Sequence, residues 1–280
     1  MPDVLVTATD LARSLSGPNP PRVLDVRWQL GGPPGREGYA AGHVPGAVFV
    51  DLDTELAAPP SAEAGRHPLP AVEDLQAAAR GWGLRRGDAV VVYDAGGAMS
   101  AARAWWVLSW AGVEDVRILD GGLGAWVAAG GALETEPPAP EPGDVVLEAG
   151  HMPTVAADEA AQWAEGGALL DARAGERYRG EVEPVDPQAG HIPGAISAPT
   201  TENLDGDGHF LAPDALTARF QALGVAHGAD VAVYCGSGVT AAHEAAALVM
   251  AGMRPVLYPG SWSQWSSDPE RPVEVGTREG

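Results

Sequence analysis

At 280 residues the chain is too long for one small core and about right for two domains of ordinary size. Hydrophobic residues at 45% and charged residues at 20% are the balance of a packed globular protein, which excludes the disordered and fibrous classes. A formal net charge of -21 opposes every encounter with nucleic acid or an anionic membrane surface, yet leaves room for a local positive pocket that takes a small anion.

The opening MPDVLVTATDLARSL has neither the basic start nor the long apolar run of a secretory leader, and no stretch reaches membrane-spanning length, so the cytoplasm is the expected compartment. Two landmarks follow, LDVR at Leu24 to Arg27 and AGHVPGA at Ala41 to Ala47. Ala-rich, Leu-spaced sequence predicts a helix over 72–81. The apolar run Ala89 to Tyr93 predicts a buried strand that ends in DAGG, and 100–111 predicts the next helix. DGGLGAW at Asp120 to Trp126 closes this half, and the proline-rich, acidic ETEPPAPEPGD from Glu134 to Asp144 reads as an extended linker.

Beyond the linker the landmarks return in the same order. LDAR stands at Leu170 to Arg173, and AGHIPGA at Ala189 to Ala195 matches its counterpart in six residues of seven. A helix is predicted over 214–223, then AVYCGSG at Ala232 to Gly238 answers VVYDAGG at Val91 to Gly97. A helix over 240–251 and PGSWSQW at Pro259 to Trp265 complete the series. An ordered series of this kind marks a duplicated domain. The expected organisation is a domain over 1–133, a linker over 134–150 and a second domain over 151–280. Alternating strands and helices imply an α/β fold, each domain a mostly parallel sheet flanked by helices, with ligands bound where loops leave the carboxyl ends of strands.

The single cysteine, Cys235, excludes an intramolecular disulfide and cannot hold zinc unaided, so neither a metal site nor a cofactor is expected. It directly follows the strand VAVY and opens the loop CGSGVT, after which the helical pattern starts at about Thr240. Gly236 and Gly238 allow successive N–H groups to converge on one point, and the helix N-terminus adds its own free donors. Dipoles arranged in this way favour the thiolate over the thiol and make it a nucleophile near neutral pH. The plain alternative is an ordinary Gly-Ser-Gly turn with Cys235 as a core spacer. The first copy has Asp94 at the matching place and so lacks a thiol, which predicts one active and one inactive domain. Asp25, Arg27, Asp171 and Arg173, with His43 and His191, occur in both copies, including the inactive one, and are therefore expected to brace the loops.

The paired LDxR and GHxPGA motifs, the strand ending in a cysteine loop and the late Gly-x-x-x-x-Trp segment resemble the tandem rhodanese sulfurtransferases over nearly the whole chain. CGSGVTA is similar in particular to the mercaptopyruvate branch, since thiosulfate-preferring members usually carry basic residues where this chain has Gly236 and Ser237. The resemblance implies a double displacement: Cys235 takes a sulfane sulfur from a small anionic donor, 3-mercaptopyruvate or alternatively thiosulfate, and passes it from a persulfide to cyanide or a thiol such as a thioredoxin or a small thiol. It implies that Gly236, Gly238, Val239 and Thr240 cradle the bound sulfur. It further implies a relay of Ser237 with His67 of GRHPLP and Asp53 of VDLDTE, and a donor carboxylate held by Arg177, or by its neighbour Arg179, of ERYRGEVEP. The mercaptopyruvate branch usually offers a second arginine shortly before the GHIPG motif. EVEPVDPQAG has none, so carboxylate recognition by a single guanidinium is expected to be weaker.

Two rival classes stand against this reading. Phosphatases with a strand-end cysteine need an arginine six residues on, where this chain has Ala241. A non-enzymatic binding module would show no turnover with any sulfur donor.

Overall fold

A computed structural model describes residues 3–277. The chain forms two compact units. The first takes in the chain up to Ala58 together with Leu69–Met152 and Gly206–Phe210, and the second takes in Pro59–Pro68, Pro153–Asp205 and the chain from Leu211 onward. A short segment from each half of the sequence therefore belongs to the unit formed by the other half.

In the first unit five strands, β1 (Leu5–Val6), β2 (Arg22–Asp25), β3 (Val48–Phe49), β4 (Val90–Tyr93) and β5 (Val116–Leu119), pair in parallel in the order β1-β5-β4-β2-β3. Its helices are α1 (Ala8–Leu15), α2 (Gly35–Ala41), α3 (Leu52–Glu55), α4 (Val72–Gly81), α5 (Met99–Trp110) and α6 (Gly122–Ala128). All of β4, VVVY, is buried, which explains why it reads as a continuous apolar run: a parallel strand covered on both faces has no polar side to show. One face packs Val23, Val91, Tyr93 and Leu119 against Leu11 of α1 and Trp126 of α6, while α5 packs against β4 and β5.

The proline-rich stretch after α6 is extended but lies on the first unit. The Gly143 N–H donates to the Arg80 carbonyl at 2.8 Å, and the Leu147 N–H to Gln76 Oε1 at 3.0 Å.

The second unit repeats the plan with β6 (Ala168–Asp171), β7 (Ile196–Ser197), β8 (Asp230–Tyr234) and β9 (Arg254–Leu257) in the parallel order β7-β6-β8-β9. An isolated parallel bridge from Thr154 to Leu257 stands where β1 stands in the first unit. Its helices are α7 (Ala157–Gly166), α8 (Gly175–Tyr178), α9 (Pro213–Ala222), α10 (Thr240–Met250) and α11 (Ser261–Trp265). No helix among the described residues is long and apolar enough to cross a membrane.

The motifs shared by both copies form the same brace twice. Arg27 donates from Nη2 to Asp25 Oδ2 at 2.6 Å and to the Gly42 carbonyl at 2.8 Å; Arg173 repeats this with Asp171 and the Gly190 carbonyl, both at 2.6 Å. Tyr93, in register with Asp25, donates its hydroxyl to that carboxylate at 2.6 Å and accepts the Val44 N–H at 3.1 Å. Tyr234 accepts the Ile192 N–H in the corresponding place at 3.2 Å. His43 and His191 stack on Tyr39 and Tyr178 at 4.0 and 3.7 Å between ring centres. These residues tie each GHxPGA turn to the strand beside it, and the tie is the same with or without a cysteine in the unit.

In the second unit this pair is almost wholly buried, with Asp171 at 0% and the Arg173 side chain at 1% exposure. Burial works against the Arg173 charge, yet the Asp171 carboxylate beside it holds its pKa above the ordinary guanidinium value. Replacing Asp171 with Asn should leave Arg173 only its longer 3.4 Å pairing with Glu183 and lower stability by about 3–5 kcal/mol, read as a fall in the denaturant midpoint of the second unit. Replacing Asp171 and Arg173 together by apolar residues should cost less than the single change.

Candidate active site

Cys235 follows the carboxyl end of β8, an inner strand of its sheet, and is 1% exposed. Its Sγ accepts the Gly238 N–H at 3.1 Å. Gly238 has φ +79°, in the left-handed region where a side chain is strained, so the turn that aims this N–H at sulfur favours glycine. Val239 is the N-cap of α10 and Thr240 its first residue, which places the helix N-terminus directly behind the loop. The backbone of the cysteine loop is held by PGSWSQW. The Cys235 N–H donates to Ser261 Oγ at 3.1 Å, while the Cys235 and Gly236 carbonyls accept the N–H groups of Trp262 and Ser263, each at 2.9 Å.

The matching loop of the first unit shows what this backbone does with an anion. Asp94 Oδ1 accepts N–H groups from Gly96 and Ala98 at 2.9 and 3.2 Å, and Oδ2 accepts those of Ser100 and Ala101 at 3.0 and 3.2 Å. Burial pushes the Asp94 pKa up, and the Ala101, Gly96 and Ser100 donors oppose it. The Ser100 hydroxyl adds a fifth contact to Oδ2 at 3.2 Å. One difference separates the loops: Ala98 is left-handed at φ +58°, whereas Val239 has φ -80°.

Pro59–Pro68 brings two further side chains to the cysteine loop of the second unit. His67 Nδ1 lies 2.7 Å from Ser237 Oγ, with the two residues 5% and 6% exposed. Arg66 enters beside it, its N–H donating to Ser263 Oγ at 3.0 Å and its Nη1 to Asp186 Oδ1 at 2.5 Å. Asp186 also accepts from Arg177 Nη2 through Oδ2 at 3.1 Å, and Arg177 donates to Glu183 Oε1 at 2.7 Å. A Cβ placed on Gly236 would lie 3.2 Å from Arg66 Nη2 and 3.4 Å from Arg177 Nη1, so only a residue without a side chain leaves both guanidiniums where they are.

The structure thus gathers Cys235, Gly236, Ser237, Gly238, Val239, Thr240, His67 and Arg177 in one unit. Arg179, two residues beyond Arg177, turns away to pair with Glu181 at 2.8 Å. Asp53 belongs to the first unit, on α3, where both of its oxygens accept the Trp28 indole N–H at 2.9 and 3.0 Å. Arg66 was not foreseen from sequence, and it brings a second guanidinium near the loop. The only signal was its place beside His67 in GRHPLP, because its partners at 186 and 263 lie far along the chain.

A family profile, the rhodanese-like domain, matches residues 7–129 and again 156–268. A Mycobacterium tuberculosis protein named provisionally as the thiosulfate sulfurtransferase SseB is 52% identical over 279 residues, covering 98% of each chain. A Pseudomonas aeruginosa protein with the provisional name 3-mercaptopyruvate sulfurtransferase is 50% identical over 279 residues, covering 97% of this chain and 98% of its own. Among solved structures, SseA of Escherichia coli, described as a 3-mercaptopyruvate sulfotransferase, superposes with a TM-score of 0.80 at 33% identity over 92% of this chain and 98% of its own. With the profile matched once in each half and full-length relatives at half identity, the chain belongs to the rhodanese family and carries two rhodanese-like domains.

Proposed function

We propose that the chain is a sulfurtransferase that works by double displacement at Cys235, with 3-mercaptopyruvate as donor. The observation that carries this reading is the Gly238 N–H on Sγ at the mouth of β8, in a loop whose sister in the first unit wraps four N–H groups around a carboxylate. A persulfide places its outer sulfur about 2 Å beyond Sγ, further into that ring of donors.

In the first half-reaction the Cys235 thiolate attacks the donor thiol sulfur. The S–S bond forms as the C–S bond breaks, and the electron pair of the broken bond passes to the methylene carbon as the enolate of pyruvate. A proton delivered to that carbon completes pyruvate. Ser237, hydrogen-bonded to His67, stands two residues from the nucleophile and supplies the proton, and His67 restores it. Asp53 as third member of this relay rests on the family resemblance. In the second half-reaction an acceptor thiolate, such as that of a reduced thioredoxin or a small thiol, or cyanide in an assay, attacks the outer sulfur and the Cys235 thiolate leaves. The single cysteine, which leaves no disulfide to form, supports a reducing compartment such as the cytoplasm as the place where this happens.

Thiosulfate is the second reading, and the two guanidiniums beside Gly236 favour it to the extent that its sulfonate end carries more charge than a carboxylate. Here sulfite leaves with its own electron pair and no carbon needs a proton.

Incubation with 3-mercaptopyruvate without acceptor should add one sulfur atom to the intact protein by mass spectrometry, and Cys235→Ser should abolish the addition. A chain that takes up no sulfur from either donor would overturn the function. His67→Ala should lower kcat/KM for 3-mercaptopyruvate by about a hundredfold or more while affecting thiosulfate less than about tenfold, because only the carbon leaving group depends on the relay. Equal losses with both donors would remove Ser237 and His67 from the proton step.

A further inference from the structure

We propose that Arg66 is the second arginine of the donor site and that Asp186 sets it there, so that the anionic end of the donor is held by two guanidiniums over Gly236. The proposal deepens the sulfurtransferase reading and rests on it for the identity of the ligand, though not for the existence of an anion site.

The geometry divides each guanidinium into an inner and an outer edge. The inner nitrogens, Arg66 Nη1 and Arg177 Nη2, are both spent on Asp186, at 2.5 and 3.1 Å. The outer nitrogens, Arg66 Nη2 and Arg177 Nη1, converge on the open side of Gly236, next to the nucleophile. Neither outer nitrogen has a hydrogen-bond acceptor among the described residues, and Arg66 Nε is also buried without one. The Arg66 and Arg177 side chains keep 22% and 18% of their surface exposed, so these donors face solvent until an anion takes them, and unspent donors on two adjacent cations suit a planar or tetrahedral oxyanion.

The Asp186 side chain is 2% exposed, and its N–H donates to Glu183 Oε1 at 3.1 Å. It is therefore a rigid wedge between the two arginines. With Glu183 it also balances their charge: two cations and two anions leave the cluster near neutral before the donor arrives. That balance keeps two arginines side by side in a strongly acidic chain, and it makes the site depend on directed N–H groups more than on net charge. The carboxylate that occupies position 186 thus serves the same task that an arginine in the EVEPVDPQAG segment would serve, by holding an arginine that arrives from elsewhere in the chain.

Binding separates this proposal from the chemistry. In a Cys235→Ser protein, which cannot accept sulfur, titration calorimetry with pyruvate and with thiosulfate reports the anion site alone. Arg66→Met, which keeps the stem, should weaken both anions by about tenfold to a hundredfold. Arg66→Lys, which keeps the charge but loses the fork, should weaken pyruvate more than thiosulfate. In the sulfur-accepting chain, Arg66→Met should raise the donor concentration for half-maximal persulfide formation by a similar factor and leave the limiting rate within about threefold. Asp186→Asn, as a positioning change, should raise that concentration for 3-mercaptopyruvate without lowering the limiting rate. If Arg66→Met binds both anions within twofold of its parent, or if the parent binds neither, Arg66 is not a donor ligand. Should anion binding follow Arg66 while no donor loads sulfur onto Cys235, the anion site stands and the sulfurtransferase reading falls.

Discussion

The proposed chemistry rests on a peptide N–H turned toward sulfur at the carboxyl end of a parallel strand. Parallel pairing points the ends of β6, β8 and β9 the same way, and the helix that follows β8 returns against the sheet with its free donors facing the strand end. The chain must reverse between Tyr234 and Thr240, within five residues, and glycine at 238 makes that reversal with an N–H turned inward to sulfur. Nucleophile, anion cradle and helix dipole are consequences of one turn.

Beside the cysteine loop of the second unit, the buried charged side chains stand in neutralised groups. Arg173 is matched by Asp171 and shares Glu183 with Arg177, and Arg66 and Arg177 share Asp186. Such a chain of alternating signs stiffens the wall beside the nucleophile, because moving one member breaks the partners of the next. Its members come from two separated stretches, 66 and 171–186, and its rigidity is a property of the fold rather than of any one segment. A carboxylate or sulfonate that enters meets donors already aimed, and pays little to reorganise them.

Much of this was legible in the sequence because it was written twice. LDxR and GHxPGA could be read as bracing since they persist in a half without a thiol, and the buried Asp–Arg–Tyr tie in each unit gives the reason. The strand at 231–234 and the helix from 240 could be read because an apolar run and an Ala-rich period have few other solutions. Resemblance paired His67 with Ser237, 170 positions apart, and the two stand in hydrogen-bond contact. Arg66 had no such support. Its place arises from meeting residues 120 and 197 positions away, and EVEPVDPQAG was read only for the arginine it lacks.

Asp94 has a consequence for stoichiometry. With its carboxylate already seated in the ring of donors, the first loop has no vacancy for a foreign atom, and the chain has no second thiol. A loaded molecule therefore cannot hand its cargo to a neighbouring cysteine of its own and expel it by closing an internal disulfide. On the proposed mechanism each catalytic cycle carries a single atom, and the chain waits, oxidised at one position, until an outside acceptor collects it.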